Sequence, residues 1–152
     1  MTLWRLVLAL IGLAFLGFGF AYIYRPDEMT SLTSIVLINA TAHTDVRATY
    51  GGLEFGVGAF LLGCAFRRDL VRVGLMAAAC VLAAMATARA VGLLLDGFWQ
   101  PLMLFVTMIE GGSAVLATWG ALVTGAETRT LVGETDTRVP PAAAGPTQSE
   151  RP

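Results

Sequence analysis

Arg47-Ala48-Thr49-Tyr50-Gly51-Gly52-Leu53-Glu54-Phe55-Gly56-Val57-Gly58 places two opposite charges, a tyrosine and four glycines at the head of an apolar run that continues to Phe66. From Val46 to Phe66 the run is long enough to cross ~30 Å of hydrocarbon at ~1.5 Å per residue. An ionisable side chain at bilayer depth is rare unless it faces protein or water, so Arg47 and Glu54 each need a partner. Those partners have to come from the rest of the chain.

The composition agrees with a membrane setting. Of the 152 residues 56% are hydrophobic and only 14% charged, and the mean hydropathy of +0.70 exceeds that of an ordinary soluble domain. All ten basic residues are Arg, and the net charge of −1 gives no case for nucleic acid. Cys64 and Cys80 both fall inside apolar segments without metal-ligand spacing and read as small apolar core residues.

Four spans follow, giving an all-α four-transmembrane-helix bundle. The first, residues 6–24, lies between Arg5 and Arg25-Pro26. It reads as an uncleaved span, because it is too long for a signal-peptide core and no small-x-small site precedes Arg25. Trp4, Tyr22 and Tyr24 suit the two interfaces. The second span covers 46–66, with Thr44 or Asp45 placed to cap its first amides. The third covers 70–95, and the fourth 101–124 with Pro101 in its first turn. Between spans one and two, the apolar stretch around Ile35-Val36-Leu37-Ile38 is too short to cross and predicts a short interfacial or re-entrant element. His43 there reads as a solvated loop histidine. Residues 125–152 turn to Thr, Glu, Ala and Pro and read as a disordered cytoplasmic tail.

Arg5 and the cluster Arg67, Arg68 and Arg72 mark one side of the membrane, while the turn at Asp96 carries no basic residue. Both termini are therefore expected on the cytoplasmic side. With that topology Glu54, Arg89 and Glu110 lie nine, seven and nine residues from the outer ends of their helices, about 10–14 Å deep in one slab. Arg47 and Glu54 are seven residues apart, as are Arg89 and Asp96, so each pair is expected to stack on one helix face. The expected node is Glu54, Arg89 and Glu110 in contact, with Arg47 and Asp96 as an outer tier and Tyr50 between. Gly52, Gly56 and Gly63, with Ala48 and Ala59, supply small residues for close helix approach on span two. Glu110, Ala114, Ala117 and Ala121 do so on span four.

The blocks RATYGGLEFGVGAF and ARAVGLLLDG, in this order, resemble the DUF4345 family, a bacterial family of small four-helix integral membrane proteins of unknown function. The layout is distantly similar to that of the DoxX-like membrane proteins. The resemblance covers roughly Leu6 to Leu122. It implies that Arg47, Tyr50, Gly51, Gly52, Glu54, Gly58, Arg89, Gly92, Asp96 and Gly97 match the family pattern, with Glu110 as its acidic position in the last helix. Together with spacing, it marks Gly51, Gly52, Gly56, Gly58 and Gly92 as helix-packing glycines. It implies a bacterial inner membrane and no established activity.

The charged set admits three uses. It can be structural glue that fixes helix register, a pocket for a lipid headgroup, quinone or small hydrophobic ligand, or a catalytic or proton-coupled site using Glu54 and Glu110. The last is disfavoured: no nucleophile stands beside a base, no metal-ligand cluster or phosphate-binding loop is present, and no inverted repeat is visible. No cofactor is implied. The partners expected are membrane lipid, a small ligand, and a second copy or another membrane protein.

Overall fold

The computed structural model describes residues 2–97 and 100–136, with side chains through Gly125. Helix α1 spans Thr2–Tyr24, and the short α2 spans Pro26–Leu32. A continuous rod follows, made of α3 (Ala40–Val46), a π-helical segment (Arg47–Gly52) and α4 (Leu53–Phe66). Helix α5 is Val71–Asp96 and α6 is Pro101–Asp136. Four helices, Thr2–Tyr24, Ala40–Phe66, Val71–Asp96 and Pro101–Gly125, are long and apolar enough to cross a membrane. The backbone of α6 continues past the expected end at 124 as far as Asp136. The rest of the polar C-terminal stretch, 137–152, lies outside the described residues.

The second rod starts at Ala40 instead of Val46, and its cap is neither Thr44 nor Asp45. Asn39 has the extended backbone of an N-cap, and its side chain accepts the Ala42 amide at 2.9 Å. Thr44 donates back to the Ala40 carbonyl as a mid-helix residue does. In the connection, the polar segment Pro26–Leu32 becomes the helix. The apolar Ile35, Val36 and Ile38 that follow are irregular and exposed. His43 is tied rather than simply solvated: Nε2 meets Asp27 Oδ1 at 2.8 Å and Nδ1 meets the Asn39 carbonyl at 2.9 Å, joining α2 to α3.

Packing forms two close antiparallel pairs, α1 with the second rod and α5 with α6. Small residues set both. A Cβ built on Gly19 would lie 2.4 Å from the Phe55 nitrogen, and one on Gly58 2.6 Å from the Leu16 nitrogen. Gly51 and Gly12 are nearly as tight, so Gly12 and Gly19 on α1 oppose Gly58 and Gly51 seven residues apart on the rod. Gly56, Gly63 and Gly92 have nothing within 4 Å, and Gly52 meets only the Arg47 carbonyl of its own helix. Of the five glycines expected to pack, Gly51 and Gly58 meet another helix; Gly56 and Gly92 face open space, and Gly52 meets no other helix within 4 Å. In the α5–α6 pair, Ala114, Ala117 and Ala121 are buried along one stripe of α6, as their spacing predicts.

Two arginines clamp the first pair from opposite ends. Arg5, at the start of α1, donates through Nε to the Ala65 carbonyl at 2.8 Å and through Nη2 to the Phe66 carbonyl at 3.3 Å, the last turn of α4. Arg47 donates through Nε to the Ile23 carbonyl at 3.0 Å, in the last turn of α1. The final carbonyls of a helix have no partner within it, and a cation there also suits the helix dipole. The apolar core, with Leu8, Leu61, Leu75 and Ala117 fully buried, fills the half of the bundle nearer Arg5. Cys64 belongs to it, whereas Cys80 is exposed on the outer face of α5.

Candidate functional site

Above that core, the interior of the other half carries charged side chains. Arg89 on α5 grips Glu110 on α6 with a two-pronged pair, Nε to Oε2 at 3.1 Å and Nη2 to Oε1 at 2.8 Å. The fork matches the carboxylate and gives geometric specificity as well as energy. Glu110 is only 7% exposed. The third guanidinium nitrogen faces Met103 Sδ at 3.6 Å. Both carboxylate oxygens of Glu110 are thus used, and Arg89 is oriented by Glu110 together with Met103.

Glu54 stands within electrostatic range of both members of this pair. Its Oε2 is buried, and among the described residues it has no hydrogen-bond partner. The position is unusual on energetic grounds, because a buried polar group left unpaired costs about 1–3 kcal/mol. Arg89 spends its fork on Glu110 and makes no hydrogen bond to this oxygen. Beside Glu54 is Tyr22 of α1, also in electrostatic range of Glu54 and Arg89, whose ring lies 5.3 Å from that of Tyr50 in a stacked arrangement. Tyr22 is buried, while Tyr50 is 42% exposed and opens the cluster to the surface.

The π-helical segment shapes this layout. Its hydrogen bonds run to the fifth residue back, as in the Leu53 amide donating to the Ala48 carbonyl, so each wide turn takes an extra residue. The seven-residue stacking of Arg47 over Glu54, which regular α geometry predicts, is lost. Arg47 turns to the end of α1, and Glu54 faces the bundle interior. Asp96 is exposed in the last turn of α5 and forms no ion pair among the described residues. Arg47 and Asp96 therefore do not make a shared outer tier. Glu54, Arg89 and Glu110 do come together. Tyr22, which reads from sequence as an interface ring, is the member that sequence reasoning misses, because its place beside Glu54 depends on how α1 faces the rod.

A family model described as a domain of unknown function, DUF4345, matches residues 3–121. The chain belongs to the DUF4345 family. The matched region takes in all four apolar helices up to Ala121 and every member of the polar cluster, and leaves out the C-terminal stretch. No curated protein and no solved structure matches the chain. The family therefore supports a small membrane protein and assigns it no chemistry; the cluster itself has to carry any functional reading. Among the described residues no three His, Cys, Asp or Glu side chains come together to hold a metal ion.

Proposed function

We propose that this DUF4345 protein binds the cationic or hydrogen-bond-donating head of a small amphiphile at Glu54, between the Tyr22–Tyr50 stack and the Arg89–Glu110 pair. The observation that carries this is the buried, unpartnered Oε2 of Glu54. With Glu54, Arg89 and Glu110 all ionised, the charges are −1, +1 and −1, a sum of −1. A ligand that brings one positive charge or a strong donor completes both the charge and the hydrogen bonding. An ammonium fits best, since the faces of Tyr22 and Tyr50 attract a cation. A tail on the same molecule would leave through the lipid-facing side at Tyr50.

The Arg89–Glu110 pair alone would serve as well for structural glue, and it needs no ligand. Glu54 is what exceeds that role. The arginines Arg5, Arg67, Arg68 and Arg72 at the opposite end support an orientation with both termini in the cytoplasm, which would put the cluster in the outer leaflet of a bacterial inner membrane.

The test is a binding titration of the detergent-purified protein, followed by native mass spectrometry, with dodecylamine, dodecanol and dodecanoate as probes of one chain length and three charges. The amine should bind at least tenfold more tightly than the acid, and Glu54→Gln should remove that preference, a loss of about 1.4 kcal/mol or more. Equal binding of amine and acid, or an unchanged preference in Glu54→Gln, would overturn the reading.

A further inference from the structure

A second site is built at the opposite end of the molecule, and it does not depend on the reading of Glu54. Helices α5 and α6 leave between them an open groove of about 700 Å³, lined by Ala83, Ala114, Val115, Thr118, Trp119 and Leu122. Its walls are almost wholly apolar; the one hydroxyl, Thr118 Oγ1, is spent on the Ala114 carbonyl at 2.8 Å. Along α5, the residues Arg72, Met76, Cys80 and Ala83 follow at helical spacing, all of them exposed, so one stripe of α5 leads from the groove at Ala83 towards Arg72. On α6 the lining runs from Ala114 to Leu122, eight residues or ~12 Å of helix, and ends less than one turn before Gly125.

Its end is charged. The guanidinium of Arg72 lies against Gly125 of α6, so close that a Cβ on Gly125 would stand 2.8 Å from Nε. Arg72 is exposed and forms no ion pair among the described residues, unlike Arg67, which is bonded to Asp69 at 3.2 Å. Arg68 adds a second exposed cation in the turn just before α5. An apolar slot whose end lies near an arginine with no ion pair among the described residues fits one kind of molecule.

We infer that the groove between α5 and α6 is a binding site for an anionic phospholipid, with one acyl chain along Ala83, Val115, Trp119 and Leu122 and the phosphate on Arg72. The guanidinium offers a planar pair of donors to the phosphate oxygens. The net positive charge of Arg68 and Arg72 favours a headgroup without its own ammonium, and such attraction falls off within about a Debye length, ~8 Å at physiological salt. Trp119, 63% exposed on the groove wall, gives the chain a broad flat surface to lie on.

The full chain in detergent, offered phosphatidylglycerol and phosphatidylcholine with the same acyl chains, tests this by native mass spectrometry. Wild type should retain phosphatidylglycerol about tenfold over phosphatidylcholine, Arg72→Gln should bring the ratio to about one, and Ala83→Trp, which fills the groove, should reduce retention of both. Arg72 is exposed, so its variant serves even where Ala83→Trp folds poorly. A wild type without preference, or an Arg72→Gln protein that keeps it, would overturn the proposal. So would a dimer that Ala83→Trp dissociates with lipid retention unchanged, because a second copy would then be what covers the groove.

Discussion

Glu54 and Glu110 are both carboxylates at one depth of one bundle, and the structure gives them opposite situations. Glu110 is held by both prongs of Arg89; Glu54 has a buried oxygen with no partner among the described residues. Removing one member of a buried ion pair strands the other, so Glu110→Gln and Arg89→Gln should each destabilise the protein, toward the low end of about 3–5 kcal/mol because Arg89 is partly exposed. Replacing both at once, as Arg89→Met with Glu110→Leu, should recover most of that loss, and a double-mutant cycle from denaturant unfolding in micelles measures the coupling. Glu54→Gln should change stability by less than about 1 kcal/mol, since no hydrogen bond to that oxygen is lost. A loss from Glu54→Gln as large as that from Glu110→Gln would show that Glu54 is structural. Depth arithmetic along regular helices was enough to group Glu54, Arg89 and Glu110 from the sequence. It failed for Arg47 because the wide turns of Arg47–Gly52 shift its direction, and no local residue type announces a π-helical segment.

Among the helices, the α1–rod pair depends on a few close backbone approaches rather than on large apolar side chains. Gly19→Ala and Gly58→Ala each place a Cβ within 3 Å of backbone on the facing helix, so each should lower the melting temperature by several degrees in detergent. Gly56→Ala and Gly63→Ala meet nothing within 4 Å and should be neutral or slightly stabilising, as Ala is a better helix former than Gly. Similar losses at all four positions would contradict the pairing. The arginine clamps predict a smaller effect at the same interface. Arg5→Gln and Arg47→Gln should cost about 0.3–1 kcal/mol each through the exposed helix ends, roughly additive because they act at opposite ends. Small-residue spacing in the sequence pointed to the right helix and partly to the wrong face. Four spans were legible because twenty apolar residues carry their own signal, but choosing among Gly51, Gly52, Gly56 and Gly58 requires the facing surface. That surface, Gly12 and Gly19 of α1, is far away in sequence.

At the scale of the whole molecule, the bundle is divided across its thickness: an apolar core and a basic rim at one end, a polar cluster under the α2–α3 cap at the other. Four crossings put Arg68 on the side of the N-terminus and Gln100 on the far side. On a background with Cys64 and Cys80 replaced by Ala, Arg68→Cys and Gln100→Cys should react with a membrane-impermeant maleimide from opposite sides of sealed vesicles; labelling from the same side would refute four crossings. With four crossings, the two proposed sites, at Glu54 and at Arg72, would lie towards opposite faces of the membrane. The most direct measurement is photoaffinity mapping with a long-chain amine that carries a diazirine beside its nitrogen, followed by peptide sequencing of the cross-linked protein. Cross-links confined to the segments holding Tyr22, Tyr50 and Glu54, lost in Glu54→Gln and displaced by excess dodecylamine, are expected. Labelling spread over the lipid-facing surface of α6, unchanged in Glu54→Gln, would contradict the assignment of Glu54 as the centre of the site.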